Sequence, residues 1–327
     1  MKTNLLITLC FLFITYSCNS EIDSEDTNRL NIGEYLYSKD NNIIYSNSLA
    51  EDAFKEKGSF IELSNGLSIK RINDSIFLYD SDMVLTKEQV LELEKYNEIN
   101  PNIKTKGTID RNARSWANKK VYYTFNSNVT AQFKNEINKA INEWRKQSGL
   151  EFIERTNQTN YIEFILGDDG SYSQVGCVGG RQYINLDKSW ADSGTAMHEI
   201  GHAIGLLHEH QSWIYHDNPM SPLKFKWDNI TENWKKHYAK TNSTHDTFSN
   251  GMYDPNHPIN SLMIYGSFAG AGVSIDQKKP VMIYAKFGVE MTFKAQRSYL
   301  SISDRIAVAK KYGYSYDPEK DQNKPPI

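Results

Sequence analysis

Eleven consecutive residues constrain this chain more than any other segment: His198-Glu199-Ile200-Gly201-His202-Ala203-Ile204-Gly205-Leu206-Leu207-His208. On a helix, His198 and His202 stand four apart, project from one face and can grip a single ion. Glu199 lies beside them, placed to act as a base on a bound water without being a ligand. Gly205 falls where the helix must end, because glycine alone enters the left-handed conformation without steric cost. The chain can then turn sharply and return His208 as a third ligand. Three neutral nitrogen ligands leave a fourth tetrahedral position for water, the pattern of a catalytic rather than a structural zinc site. A bare His-Glu-x-x-His run arises by chance, but the added glycine and third histidine at the required spacing make this one specific.

The first seventeen residues read as an export signal. Lys2 gives a short positive start, and the apolar stretch from Leu5 to Tyr16 is too short to anchor stably across a bilayer. Thr15-Tyr16-Ser17-Cys18 resembles a bacterial lipoprotein cleavage site, which makes Cys18 the lipidated first residue. The polar, acidic residues after it suit a solvated tether and resemble surface-export signals of some Gram-negative lipoproteins. The expected location is therefore the bacterial outer membrane or cell surface, with a mature domain open to release. Three cysteines are present (Cys10, Cys18 and Cys177), so with Cys18 acylated Cys177 has no intramolecular partner. A net charge of −3 offers no electrostatic footprint for nucleic acid.

Hydrophobic periodicity divides the chain into a signal peptide (1–17), an acidic tether and pro-region (18–113), a catalytic domain (114–315) and a loose polar tail (316–327). Residues 100–115 are polar, basic and carry Gly and Pro, the kind of exposed linker that proteases nick. The pro-region holds short apolar runs, Ser59 to Leu63 and Ser75 to Tyr79, and a helical stretch from Thr86 to Tyr96. Within the catalytic domain, Val121, Tyr123 and Phe125 alternate as in a strand. Phe133, Ile137, Ala140, Ile141 and Trp144 recur at helical spacing up to Gly149. Glu151 to Arg155, Tyr161 to Leu166 and Gln182 to Leu186 read as strands. The histidine helix is expected to start at Ser193 or Thr195, either of which could cap it. An α+β upper lobe with a twisted sheet follows, with a mostly irregular lower lobe after His208. A last helix, from about Ser303 to Tyr312, ends at Gly313.

These residues resemble the astacin family of zinc endopeptidases in the metzincin clan. The run from His198 to His210 matches the family signature, including the glutamate after the third histidine, and Ser261-Leu262-Met263-Ile264-Tyr265-Gly266 resembles its Met-turn. The likeness extends over roughly residues 116–313 and implies a two-lobed metzincin fold. It implies that Met263 forms an apolar floor under the zinc, and that Tyr265 ligates the resting metal and swings to stabilise the transition state. Glu209 would anchor the new N-terminus after activation. Tyr79-Asp80-Ser81-Asp82-Met83 resembles the propeptide motif whose aspartate, here Asp82, ligates the zinc of the latent form. Two departures are visible. Gly149 and Gly313 stand where the family carries cysteines, so its usual disulfides cannot form and Cys177 is expected to be a free thiol. The family's arginine- and aspartate-rich stretch after the zinc motif is degraded at Gln211 to Asp217.

The implied activity is peptide-bond hydrolysis by one zinc ion on His198, His202 and His208, with Glu199 as base and Tyr265 as oxyanion donor, acting as a monomer on protein or peptide substrates. An extended substrate could pair with an edge strand near Ser171 to Gly176. The alternative is a surface adhesion lipoprotein that keeps zinc only as scaffold; such a protein has no need of Glu199.

Overall fold

In the computed structural model, the described residues are 60–62, 68–71, 77–79, 82–86, 89 and 113–322, except 169, 217–220, 240–258, 271, 287 and 319. The export signal, Cys18, the tether and most of the 100–115 linker lie outside them, as does most of the helix expected at 86–96. The residues before the 100–115 segment contribute four short strands: β1 (Phe60–Glu62), β2 (Ser68–Arg71), β3 (Phe77–Tyr79) and β4 (Met83–Leu85). The domain after the linker adds β5 (Lys120–Phe125), α1 (Ala131–Gln147), β6 (Glu151–Glu154), β7 (Tyr161–Gly167), β8 (Tyr172–Gln174), β9 (Arg181–Asp187) and α2 (Ser193–Ala203).

All nine strands form one sheet in the order β1-β2-β3-β4-β8-β9-β7-β5-β6. The strands β5, β6, β7 and β9 pair in parallel, and β8 turns back antiparallel to β9. That reversal would leave β8 as the sheet edge of the catalytic domain. Here β4 occupies it in parallel register, Met83 opposite Ser173 and Val84 opposite Gln174. The edge expected to receive a substrate is thus taken by β4 of the same chain, which satisfies backbone groups that would otherwise face water.

Helix α1 starts at Thr130, whose side chain accepts from Phe133 N, and buries Ile137, Ala140, Ile141 and Trp144. Those side chains pack on β5, β7 and β9 and on the inward face of α2 (Ala196, Met197, Ile200, Ala203). Trp144 Nε1 donates to Met197 O at 3.0 Å, which ties the two helices at fixed height. The cap of α2 corrects the sequence reading. Neither Ser193 nor Thr195 caps it; Asp192 Oδ1 accepts from Thr195 N at 2.9 Å. All three are competent caps, and the strand–loop geometry after β9 decides among them.

Among the described residues the lower lobe is mostly irregular, as its weak periodicity implied, with short elements set into it. It carries α3 (Trp213–His216), β10 (Leu223–Phe225), α4 (Glu232–Tyr238), β11 (Met282–Lys286), β12 (Val289–Met291) and α5 (Ile302–Tyr312). Strands β10, β11 and β12 form an antiparallel sheet. Leu223, Ile230, Tyr238, Ile264, Val281 and Met282 make a second core beneath it. β10 and β11 are separated by almost sixty residues, so no local pattern announces the pairing. Helix α5 begins in a reciprocal capping box of Ser301 with Asp304 and ends at left-handed Gly313.

Cys177 is a buried free thiol. Beyond α5, one described residue of the tail is tied to the domain. The Asp321 carboxylate pairs with the buried Arg305 guanidinium and accepts from the Tyr316 hydroxyl at 2.7 Å. A buried guanidinium requires such a partner.

Candidate metal centre

Helix α2 brings His198 and His202 onto one face as their spacing requires. Gly205, at φ +100°, then reverses the chain. Three residues on, His208 returns with its Nε2 3.2 Å from that of His202. The ring orientations are fixed from behind. His198 Nδ1 lies 3.0 Å from Leu262 O and His202 Nδ1 2.8 Å from Leu206 O. A carbonyl accepts only, so each Nδ1 carries the proton and each Nε2 presents a lone pair to the centre.

The fourth group is Asp82. Its carboxylate stands 3.0 Å from His208 Nε2, 3.5 Å from His198 Nε2 and 3.6 Å from His202 Nε2. One ligand atom from each of these four residues lies within 4.8 Å of all the others. Tyr265 completes the rim, its hydroxyl 3.4 Å from both Asp82 oxygens. The Tyr265 ring packs against both His208 and His210, with centroids at 4.2 and 4.7 Å.

The charge state suits a cation. Burial, then the charge of Arg297, lowers His198 to about 4, and burial holds His202 well below its ordinary value, so both rings are neutral near pH 7. For Asp82, burial alone would raise the carboxyl; the charge of His208 and the contacts with His198 and His208 outweigh it and hold it well below the usual range. Burial first, and then the Asp82 charge, pushes Glu199 well above the ordinary carboxylate value. Nε2 of His198 and Oε2 of Glu199 are buried without a hydrogen-bond partner. Lone pairs of neutral His198 and His202 and a carboxylate converging on one point beside the His208 ring, with such atoms orphaned, fit a divalent metal of the zinc type.

The floor is the turn at Ser261 to Tyr265. A Cβ placed on Gly201 would meet Met263 Sδ at 2.6 Å, so only glycine at 201 lets Met263 lie directly under the helix. The turn is held by two residues that no sequence pattern singled out as part of the site. Asp304 accepts from Ser261 Oγ at 2.7 Å and from Leu262 N at 2.8 Å. Arg297 Nη1 donates to Leu262 O at 2.7 Å and Ile264 O at 2.9 Å. Leu262 O therefore serves both Arg297 and His198. The Asp304 capping box was visible in the sequence as Ser301-x-x-Asp304; Arg297 gave no signal. Glu209 is buried, and its Oε1 accepts from the Tyr215 hydroxyl at 2.6 Å.

The segment around Asp82 is fastened beside the centre. Asp82 O accepts from Ser173 N at 2.8 Å, so one residue is tied to the sheet edge by its backbone and to the histidines by its side chain. Thr86 and Gln89 make a capping box, and Gln89 Nε2 also donates to Val175 O at 2.8 Å.

Residues 108–313 match the peptidase family described as Astacin. Zinc metalloproteinase nas-36 of Haemonchus contortus is 29% identical over 249 residues, covering 73% of this chain and 38% of that protein. Zinc metalloproteinase nas-4 of Caenorhabditis elegans is 29% identical over 209 residues, covering 63% of this chain and 62% of that protein. The chain thus spans well under half of some of the curated relatives it matches. Among solved structures, the medaka (Oryzias latipes) hatching enzyme high choriolytic enzyme 1 superposes with a TM-score of 0.51 at 21% identity, covering 62% of this chain and 94% of that one, which speaks to the fold. With a family match over 206 consecutive positions that include the three histidines, the glutamate and the methionine turn, this chain belongs to the astacin family of peptidases.

Proposed function

We propose that this chain is a zinc-dependent endopeptidase made in a latent form, with Asp82 as the latency ligand. The observation that carries the reading is the convergence of His198, His202 and His208 Nε2 on the Asp82 carboxylate, with Glu199 buried alongside. His198, His202 and His208 would hold the metal. A zinc ion so bound lowers the pKa of a water toward about 7 and polarises the scissile carbonyl.

The chain's own residues supply the rest. With Asp82 withdrawn, the charge that helps raise Glu199 is gone, and Glu199 is free to take a proton from the attacking water. It then returns that proton to the leaving amine. Tyr265, already beside the position that Asp82 fills, is placed to donate its hydroxyl proton to the developing oxyanion. The β8 edge, freed of β4, offers main-chain hydrogen bonds to an extended substrate. Glu209 would receive the new N-terminus, exchanging its Tyr215 contact for an ion pair.

Lipidation of Cys18 is proposed from the sequence alone. Cys18 and Asp82 both precede the 100–115 linker, so a cut there would unblock the cleft and free the enzyme from the membrane in one step. Fractionating cells before and after activation should move the mature domain from membranes to medium. The decisive test of catalysis is Glu199→Gln in the activated chain. It should retain zinc and lose casein cleavage by roughly 10²–10⁴-fold; undiminished cleavage would sink the assignment and favour the adhesive alternative.

A further inference from the structure

A docked pro-segment is an intramolecular ligand of the cleft, so its buried side chains outline the pockets they fill. The cleft divides at Asp82. After it, Met83–Leu85 runs along β8. Before it, Tyr79 is 1% exposed, its ring set against Gln211 and His237. Its phenol oxygen accepts from Gln211 Nε2 at 3.2 Å, and its ring stands 5.9 Å from that of His237, inclined by 50°. Trp234 supports His237, with centroids 4.8 Å apart.

The wall is set independently of Tyr79. Gln211 is fully buried, and its Nε2 also donates to His237 O at 2.9 Å. A primary amide nitrogen has two N–H groups; one fixes its orientation on the backbone and the other points at the occupant. Gln211 follows His208 by three residues, which sets this pocket next to the metal centre. It also lies in the stretch where the family's charged pattern is degraded, so the donor belongs to this chain's own cleft.

We infer that the Tyr79 pocket is a substrate side-chain subsite selective for a phenol, with Gln211 as its specificity-determining residue. The inference rests on the endopeptidase reading above. A phenylalanine fills the same space but leaves a buried N–H unpaired, whereas an aliphatic side chain also loses the ring contacts. Tyrosine should therefore be preferred over phenylalanine by roughly five- to 150-fold, the span for leaving one buried donor unpaired.

The test uses the full-length chain cut within the linker and freed of its pro-segment, first checked on casein. Cleavage of a peptide library should enrich tyrosine at one fixed position within three residues of the scissile bond. Matched peptides should show the stated Tyr-over-Phe ratio in kcat/KM, and Gln211→Leu should bring that ratio to about one. Should that variant fail to fold, the wild-type enzyme suffices. A synthetic peptide of residues 75–86 should inhibit it, with Tyr79→Phe weakening inhibition by the same factor and Tyr79→Ala by more. Casein cleavage without aromatic enrichment, a Tyr:Phe ratio unchanged by Gln211→Leu, or equal inhibition by the three peptides would overturn the subsite. Absence of casein cleavage would instead overturn the endopeptidase reading.

Discussion

Replacing Asp82 by alanine in the uncleaved chain separates the two ways in which the segment around it is proposed to block the cleft. The substitution removes a carboxylate 3.0 Å from His208 Nε2 and 3.4 Å from the Tyr265 hydroxyl. It leaves the backbone pairing of β4 with β8, the Ser173 N to Asp82 O hydrogen bond at 2.8 Å, and the Tyr79 and Gln89 contacts. Apart from any metal contact, the Tyr265 hydroxyl donates to that carboxylate, and a hydrogen bond to a charged group contributes about 1.5–3 kcal/mol. At 1.4 kcal/mol per factor of ten, its loss shifts the closed-to-open equilibrium by roughly 10- to 150-fold. Uncleaved Asp82→Ala should therefore hydrolyse a quenched-fluorescent peptide that much faster than the uncleaved wild type. It should still fall short of the linker-cut enzyme, because the strand remains on the edge. If uncleaved Asp82→Ala is as silent as the wild type while its cut form is fully active, strand occupancy alone causes latency and the ligand role is wrong. The same geometry fixes a pH dependence. A carboxylate held below its ordinary value contributes its stabilisation above the unfolded pKa, about 3.9, and loses it only as pH falls through the lower folded value. Incubation at pH 5 should thus leave the uncleaved wild type latent; spontaneous activation there would contradict a depressed Asp82.

Two further substitutions probe the frame. Arg297→Lys keeps the charge but shortens the side chain by one bond, withdrawing the donor that Nη1 holds against Leu262 O and Ile264 O, so the backing of His198 should loosen and zinc affinity fall by roughly 10- to 100-fold on competition with a chelator. Gly149→Ala would drive a Cβ to 2.9 Å from Tyr314 Cζ, at the point where Tyr314 Oη also accepts from Gly149 N. That overpacking should cost about 1–3 kcal/mol and lower the thermal midpoint by roughly 2–4 °C for each kcal/mol.

What was legible in the sequence, and what was not, follows from the range of the interactions. The histidine helix could be read because its ligands, its base and its terminating glycine are bound to one another by helical geometry within eleven residues. Helix α1 and strands β5, β6, β7 and β9 could be read because burial on one face imposes a period. The sheet of β10, β11 and β12 escaped, since Val289, Glu290 and Met291 are all exposed and offer no alternation, and its strands are far apart in the chain. Asp192 escaped as a cap because three adjacent residues had equal chemistry. Arg297 escaped for a deeper reason: it acts on carbonyl oxygens, which every residue has, so neither partner carries a side-chain signature. The Gly149–Tyr314 contact shows the converse. The sequence revealed that a disulfide position had lost its cysteines, but not that an aromatic ring packs against the glycine there. Asp82 lies between these limits. Its motif is short and acidic turns are common, so its meaning depends on a partner 116 residues away. That distance is also what suits it to the proposed switch. A ligand on the far side of a cleavable linker can be held close by the tether and then lost in a single cut, which no residue within the His198–His208 run could achieve.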